Sequence, residues 1–312
     1  MKWIKKGLII GRDIGVNWSK GRAICPIPEL ISDNKLRIYF STLDKQGRST
    51  PIFIETNPET PEKIDFISDE PVLDLGRLGT FDDNGILVSS IVTLENRQYL
   101  YYIGWNPKKT VSYSLAIGLA ISENVSKFKK ISEGPILDRS IDETIFNTAP
   151  CVIYKNGFWQ MWYVSCHSWR IVNDWPEPFY NVKYAVSNDG INWKRTGIVS
   201  INNDEFSEAV GKPHVYIENG IYKMIYSYRN SMNYRVDKEK SYRLGYAESF
   251  DGICWKRLDE HVGIKFSDEG WDSIMMEYAS SYVFKGKRYL LYNGNGFGET
   301  GFGYAIMNLD ND

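Results

Sequence analysis

The sequence predicts an all-β chain folded as a five-bladed β-propeller. Three observations carry that expectation: a strand–turn–strand segment recurs in near copies, an aromatic-rich hairpin occurs five times at a steady interval, and the N-terminal segment matches the outer strand of another repeat.

The first repeat reads Tyr184-Ala-Val-Ser-Asn-Asp-Gly-Ile-Asn-Trp193-Lys-Arg and Tyr246-Ala-Glu-Ser-Phe-Asp-Gly-Ile-Cys-Trp255-Lys-Arg, with a weaker third copy from Leu119 to Lys130. In each copy the aromatic falls six positions after the Ser. A strand, a tight Asp-Gly or Asn-containing turn and a return strand with an aromatic packed on the sheet account for the pattern.

A second motif precedes each copy: an alternating strand, a short polar turn and an aromatic-rich strand, as in Pro150 to Tyr163 and Pro213 to Tyr226. Its equivalent positions are read as Leu36, Tyr99, Trp159, Tyr222 and Tyr289, spaced 63, 60, 63 and 67 residues apart. Each period holds four strands, so five units occupy nearly the whole chain, which is expected to form one propeller domain over residues 1–312. A stack of separate β-sandwiches is the competing arrangement, disfavoured because repeat units need neighbours to bury their faces.

The last unit stops one strand short, after Gly303 to Met307. Lys2-Trp3-Ile-Lys-Lys-Gly7 repeats the Trp-to-Gly spacing of Asn192-Trp193-Lys-Arg-Thr-Gly197, so an N-terminal strand is expected to complete the last blade and close the ring.

Composition narrows function. A formal net charge of -2 leaves no excess of cations to neutralise phosphates, so nucleic acid is not an expected partner. No run approaches the ~18 apolar residues of a membrane span, and the four-residue apolar stretch before Gly11 is too short for a signal-peptide core. The four cysteines lack close-paired spacing and read as reduced thiols without a metal site, as in a cytoplasmic protein. Aromatics at 14%, including 21 Tyr and 10 Trp, suit both strands and sugar-stacking surfaces.

In an up-and-down blade the long connections from the last strand of one blade to the first strand of the next and the loops between second and third strands share one face. The inner strands surround the axis, so groups distant in sequence converge there. Asp83, Glu208 and Glu277, from three blades, are the candidate carboxyl groups for acid/base chemistry, one of them kept protonated by its surroundings. Arg22, Asp82, Asn147, Arg229 and the loop residues His167, Trp169 and Arg170 are candidate substrate-binding groups. Lys212 and His214 flank Pro213, and strand alternation places both on the same side near the axis, where they suit an anion or a sugar hydroxyl.

The Ala-x-Ser-x-Asp-Gly-x-x-Trp segments at Ala185–Trp193 and Ala247–Trp255, with the Asn-Gly-x-Tyr turn at Asn219–Tyr222, resemble the five-bladed propellers of glycoside hydrolase families 43, 32 and 130. The resemblance covers almost the whole chain and implies an axial site made of carboxylates from several blades, with no organic cofactor. The Trp-x-Asn-Asp-Pro-Asn-Gly and Glu-Asp-Pro-Arg signatures of those families are absent: blade one reads Gly21-Arg22-Ala-Ile-Cys-Pro-Ile-Pro28, and blade two has Ser89-Ser90-Ile91. The expected activity is cleavage of a glycosidic bond in a small carbohydrate or oligosaccharide. The alternatives are phosphorolysis, with phosphate as a further partner at Lys212, His214 and Arg229; glycosyl transfer; and carbohydrate binding without turnover.

Overall fold

The computed structural model describes residues 1–123, 127–203, 208–235 and 237–309. The strands form five antiparallel four-stranded sheets. Blade one is β2 (Ser19–Ser32), β3 (Lys35–Asp44), β4 (Ser49–Asn57) and β5 (Thr60–Ile67). Blade two is β6 (Ile86–Leu94), β7 (Arg97–Pro107), β8 (Tyr113–Ser122) and β9 (Lys129–Lys130). Blade three is β10 (Phe146–Lys155), β11 (Phe158–Val172), β12 (Trp175–Ser187) and β13 (Lys194–Ile201). Blade four is β14 (Glu208–Glu218), β15 (Ile221–Asn230), β16 (Arg243–Ser249) and β17 (Lys256–Arg257). Blade five contains β18 (Glu277–Phe284), β19 (Lys287–Asn293) and β20 (Phe302–Asn308), and its outer strand is β1 (Ile4–Ile10).

The N-terminal closure predicted from the sequence is present: β1 pairs antiparallel with β20 from Ile4↔Ile306 to Ile10↔Phe302. Trp3 is buried and its indole N–H donates to the Val262 carbonyl at 2.9 Å. The apolar core is divided among the seams between neighbouring sheets. Tyr39 and Phe53 of blade one pack with Ile86 and Tyr102 of blade two, and Tyr101 of blade two packs with Trp159 of blade three. Phe40 of blade one meets Phe302 of blade five edge-on at 5.4 Å, so the same burial that joins sequential blades also joins the last to the first.

The repeated Ser-x-Asp-Gly segments are fasteners between blades. Ser187 Oγ accepts the Gly190 N–H at 2.9 Å, and Asp189 Oδ1 accepts the Ile191 and Asn192 N–H groups at 2.8 Å. Gly190 has φ 74° and its added Cβ would meet the Trp159 ring at 3.0 Å, so both its conformation and its packing require glycine. Its carbonyl accepts the Tyr101 hydroxyl of the preceding blade at 2.9 Å, as the Gly252 carbonyl accepts Trp162 Nε1 at 2.8 Å. In the weaker third copy, the turn at 124–126 lies outside the described residues.

The hairpin register corrects two repeat assignments. Ser32↔Lys35, Leu94↔Arg97, Lys155↔Phe158, Glu218↔Ile221 and Phe284↔Lys287 flank equivalent two-residue turns. Gln98 and Arg288 are therefore the counterparts of Leu36, Trp159 and Tyr222, one residue before Tyr99 and Tyr289. Counting aromatic side chains alone hid the difference, because two of the equivalent positions are polar.

The corrected register aligns Tyr102, Tyr163, Tyr226 and Tyr292 on the second strands. Each hydroxyl donates to a carboxylate, respectively Asp82 at 3.0 Å, Glu143 at 2.8 Å, Asp259 at 2.5 Å and Asp272 at 2.9 Å. A cation completes each strut: Lys130 lies 2.6 Å from Asp82, Arg195 3.5 Å from Glu143, Arg257 2.7 Å from Asp259 and Lys5 2.6 Å from Asp272. Asp82, Glu143 and Asp272 are buried and Asp259 is partly exposed, and each is thus engaged within its own blade. Blade one has Phe40 at this position and packs it against apolar neighbours.

Candidate functional site

Each innermost strand is interrupted by a β-bulge beside the axis. The ladder shifts between Ile24 and Ile27, Val88 and Ser90, Thr148 and Cys151, Gly211 and His214, and Glu277 and Ser280. Cys25, Ala149, Lys212 and Tyr278, within these bulges, take φ values of 58°, 47°, 49° and 54°. Left-handed backbone at non-glycine residues is costly and here recurs around one axis, as at many ligand sites. Cys25, Ala149, Lys212 and Tyr278 line a cavity of about 440 Å³. Its lining also takes in Trp105 and Tyr113 of blade two, Tyr180 of blade three, Tyr234, Arg235 and Tyr242 of blade four, and Phe297 of blade five.

Lys212 shows why strand alternation misplaced its neighbour. The bulge between Gly211 and His214 turns Lys212 into the cavity and His214 into the seam between blades four and five, where Nε2 lies 2.8 Å from Ser281 Oγ. The expected joint projection of Lys212 and His214 is therefore corrected. Burial, helped by the Lys212 and Arg288 charges, pushes the His214 pKa down to about 3. The unfolded chain then binds a proton that the folded chain refuses, so His214 lowers stability as pH falls from about 6.5 towards 3. A His214→Gln variant should show a flatter acid limb in thermal unfolding across that interval; the wild-type slope in the variant would contradict it.

The Lys212 ammonium spans the axis from blade four to the Ser89 carbonyl of blade two at 3.1 Å. It is 3% exposed. Burial holds its pKa below the usual lysine value, with the Cys25 and Cys151 thiols opposing the shift. Arg229 is also buried, its Nε donating to Tyr242 Oη at 3.1 Å and its Nη2 to the Pro178 carbonyl at 3.2 Å. Glu177 lies 3.4 Å from Arg229, is paired with Arg235 and accepts the Tyr234 hydroxyl at 3.2 Å. The Tyr234 ring stacks 3.9 Å beneath the Arg229 guanidinium. Arg22, with φ 71°, joins the lining and meets Glu299 at 3.6 Å.

Glu277 begins β18 next to Tyr278. It is fully buried, and among the described residues neither a cation nor a backbone N–H bonds its carboxyl; the Tyr278 side chain is its hydrogen-bonding neighbour. Burial raises its carboxyl well above the ordinary range, although the hydrogen bond from Tyr278 and the Arg229 and Arg22 charges act in the opposite sense. The structure does not bring the three candidate carboxyl groups together. Asp83 accepts from Gly79 N–H at 2.7 Å and Asn106 Nδ2 at 2.5 Å. Glu208 is bonded by Arg257 at 2.8 and 3.1 Å. None of Asp83, Glu208 and Glu277 lines the cavity; Glu277 stands behind Tyr278, which does.

Of the candidate binding residues, Arg22, Lys212 and Arg229 line the cavity. Asp82 belongs to the blade-two strut, and Asn147 donates to Glu143 at 2.5 Å in that of blade three. The segment containing His167, Trp169 and Arg170 was expected to be a loop, but β11 and β12 continue through it as a hairpin, with Trp169↔Pro178 and Val172↔Trp175 in register. Trp169 packs edge-on to Tyr113 at 5.3 Å, behind the cavity wall, and Arg170 stacks over Phe179 at 4.8 Å. His167 is exposed. The hairpin instead contributes Tyr180 and Glu177, absent from the candidate set although they lie in the same aromatic segment. Sequence reading also missed Tyr113, Tyr242, Tyr278 and Arg235; for Tyr278, adjacency to Glu277 was the available signal.

No family model matches the chain. The uncharacterized protein Rv1502 of Mycobacterium tuberculosis strain H37Rv is 35% identical over 308 residues, covering 98% of this chain and 99% of that protein. This chain belongs to the Rv1502 family. MT1551 of Mycobacterium tuberculosis strain CDC 1551 has the same identity over 308 residues. The Rv1502-family propeller also superposes on solved structures. A glycoside hydrolase gives a TM-score of 0.75 at 18% identity, covering 99% of this chain and 92% of that one. BT0996 in an RGII complex gives 0.74 at 18% identity, with 97% and 90% covered. A thermostable family-43 glycoside hydrolase gives 0.67 at 15% identity, with 96% and 91% covered. The Rv1502-family fold is therefore that of the glycoside hydrolase propellers, and at these identities the likeness is one of fold. Among the described residues no helix is long and apolar enough to cross a membrane.

Proposed function

We propose that this protein is a glycoside-cleaving enzyme whose axial cavity holds a saccharide and whose proton donor is Glu277, acting through the Tyr278 hydroxyl. The observation that carries the reading is the complete burial of a carboxyl at the axis with no paired cation among the described residues, beside a tyrosine that bonds it and lines the cavity. A carboxyl kept neutral at ordinary pH can release a proton to a departing sugar oxygen, whereas an ionised one cannot. Burial also keeps the Tyr278 phenol neutral, so it can receive one proton as it passes another on. Aromatic rings of Trp105, Tyr113, Tyr180 and Tyr242 offer apolar faces to sugar C–H groups.

A second reading, saccharide binding without turnover, is favoured by the engagement of Asp83 with Gly79 and Asn106 and of Glu208 with Arg257. One assay separates the two. Oligosaccharides are incubated with wild type, Glu277→Gln and Tyr278→Phe, with and without phosphate, and products are followed by NMR. The enzyme reading expects turnover by wild type and its loss in both folded variants. Product appearing only with phosphate would identify phosphate as acceptor. Binding without product in wild type would establish the second reading.

A further inference from the structure

We propose that the axial cavity recognises an oxyanion, docked on the Lys212 ammonium that lines it. This rests on the reading of the cavity as a saccharide site and adds the chemistry that the saccharide or its co-substrate must carry.

The argument is one of charge compensation. Arg22, Lys212, Arg229 and Arg235 line the cavity, while no Asp or Glu among the described residues does so. Glu177 compensates Arg229 and Arg235 from behind the wall, and Glu299 faces Arg22. Lys212 has no such partner: among the described residues no carboxylate lies within ion-pair distance of its Nζ, which bonds only the Ser89 carbonyl. The thiols of Cys25 and Cys151 supply no charge at neutral pH, because burial raises both above the ordinary thiol value.

An ammonium has three donors, and burial without a counter-charge is costly. Lys212 is 97% buried yet faces open space in the cavity, so its remaining donors point to a ligand that arrives with the missing charge. A neutral sugar would leave that charge uncompensated. A carboxylate on the saccharide or an inorganic phosphate bound with it supplies the same oxyanion chemistry.

The test is isothermal titration at one low ionic strength with D-glucuronate, D-glucose and inorganic phosphate. At least one anion should bind wild type about tenfold more tightly than glucose, as a charge-assisted hydrogen bond implies. Lys212→Met should reduce that anion's affinity to the glucose level, while Lys212→Arg should retain much of it. A preference for glucuronate alone assigns the oxyanion to the saccharide, and for phosphate alone to the free ion. A crystal structure of wild type with the tighter anion, which needs no variant, should place its oxygens against Lys212 Nζ. Equal affinity for glucose, no binding of either anion, an anion located elsewhere, or an unchanged preference in folded Lys212→Met would overturn the proposal. Titration of Glu277→Gln separates this failure from that of the enzyme reading: retained anion preference with lost turnover supports both, while turnover surviving in that variant overturns only the proton donor.

Discussion

Deleting residues 1–10 should lower the unfolding midpoint by about 10 °C or more, because those residues supply the outer strand that completes blade five. Trp3, Ile9 and Ile10 are each less than a tenth exposed, and burial of one such side chain is worth about 1.5–3 kcal/mol. The deletion also removes the ladder from Ile4↔Ile306 to Ile10↔Phe302 and uncovers the edge of β20. It leaves Asp272 buried without Lys5, its cation at 2.6 Å. Together these losses are comparable to the net stability of a domain, about 5–15 kcal/mol. Thermal unfolding followed by circular dichroism provides the comparison. An unchanged midpoint would mean that β1 covers the blade without holding the ring closed.

The architecture was legible because a propeller repeats its local solutions. The Ser187–Trp193 and Ser249–Trp255 turns use the same side-chain bonds to stop one strand and start another, and both present a glycine carbonyl to the preceding blade. The match between Trp3 and Trp193 carried the closure for the same reason. The site was less legible because its geometry comes from bulges. A strand read with period two places Lys212 and His214 together, whereas the left-handed residue at Lys212 separates them into cavity and seam.

Acidic residues posed a different problem. Asp82, Glu143, Asp272 and Glu277 all stand near the starts of inner strands, and sequence position alone does not say which have partners. Asp82, Glu143 and Asp272 are engaged by a second-strand tyrosine and a cation at recurring blade positions, while among the described residues Glu277 has no paired cation and meets Tyr278, its neighbour in the chain. The distinction lies in the second strands: the residue paired with Glu277 is Asn293, whose amide is occupied by the Ala23 and Gly301 carbonyls at 2.6 and 3.0 Å. Once the struts are recognised as blade scaffolding, the unpaired carboxyl becomes conspicuous.

Glu277→Gln should reduce turnover at least about 100-fold, the lower end of the range for loss of a general acid, while making the folded protein less sensitive to rising pH. The two effects have one cause. Gln preserves shape but has no proton to release, and it removes a group whose ionised form the buried site rejects. In wild type the folded Glu277 pKa is raised, whereas the unfolded carboxyl ionises near its ordinary value of 4.5. Above that value the folded state holds a proton that the unfolded state has lost, so this group's contribution to stability falls with increasing pH until the folded pKa is reached. The decisive comparison is the midpoint of wild type minus that of Glu277→Gln, measured from about pH 5 to about pH 8, because titrations elsewhere are common to both proteins. The difference should move steadily against wild type as pH rises. A constant difference would show that Glu277 is already ionised in the folded state, which would remove the proton required by the mechanism even if turnover were lost.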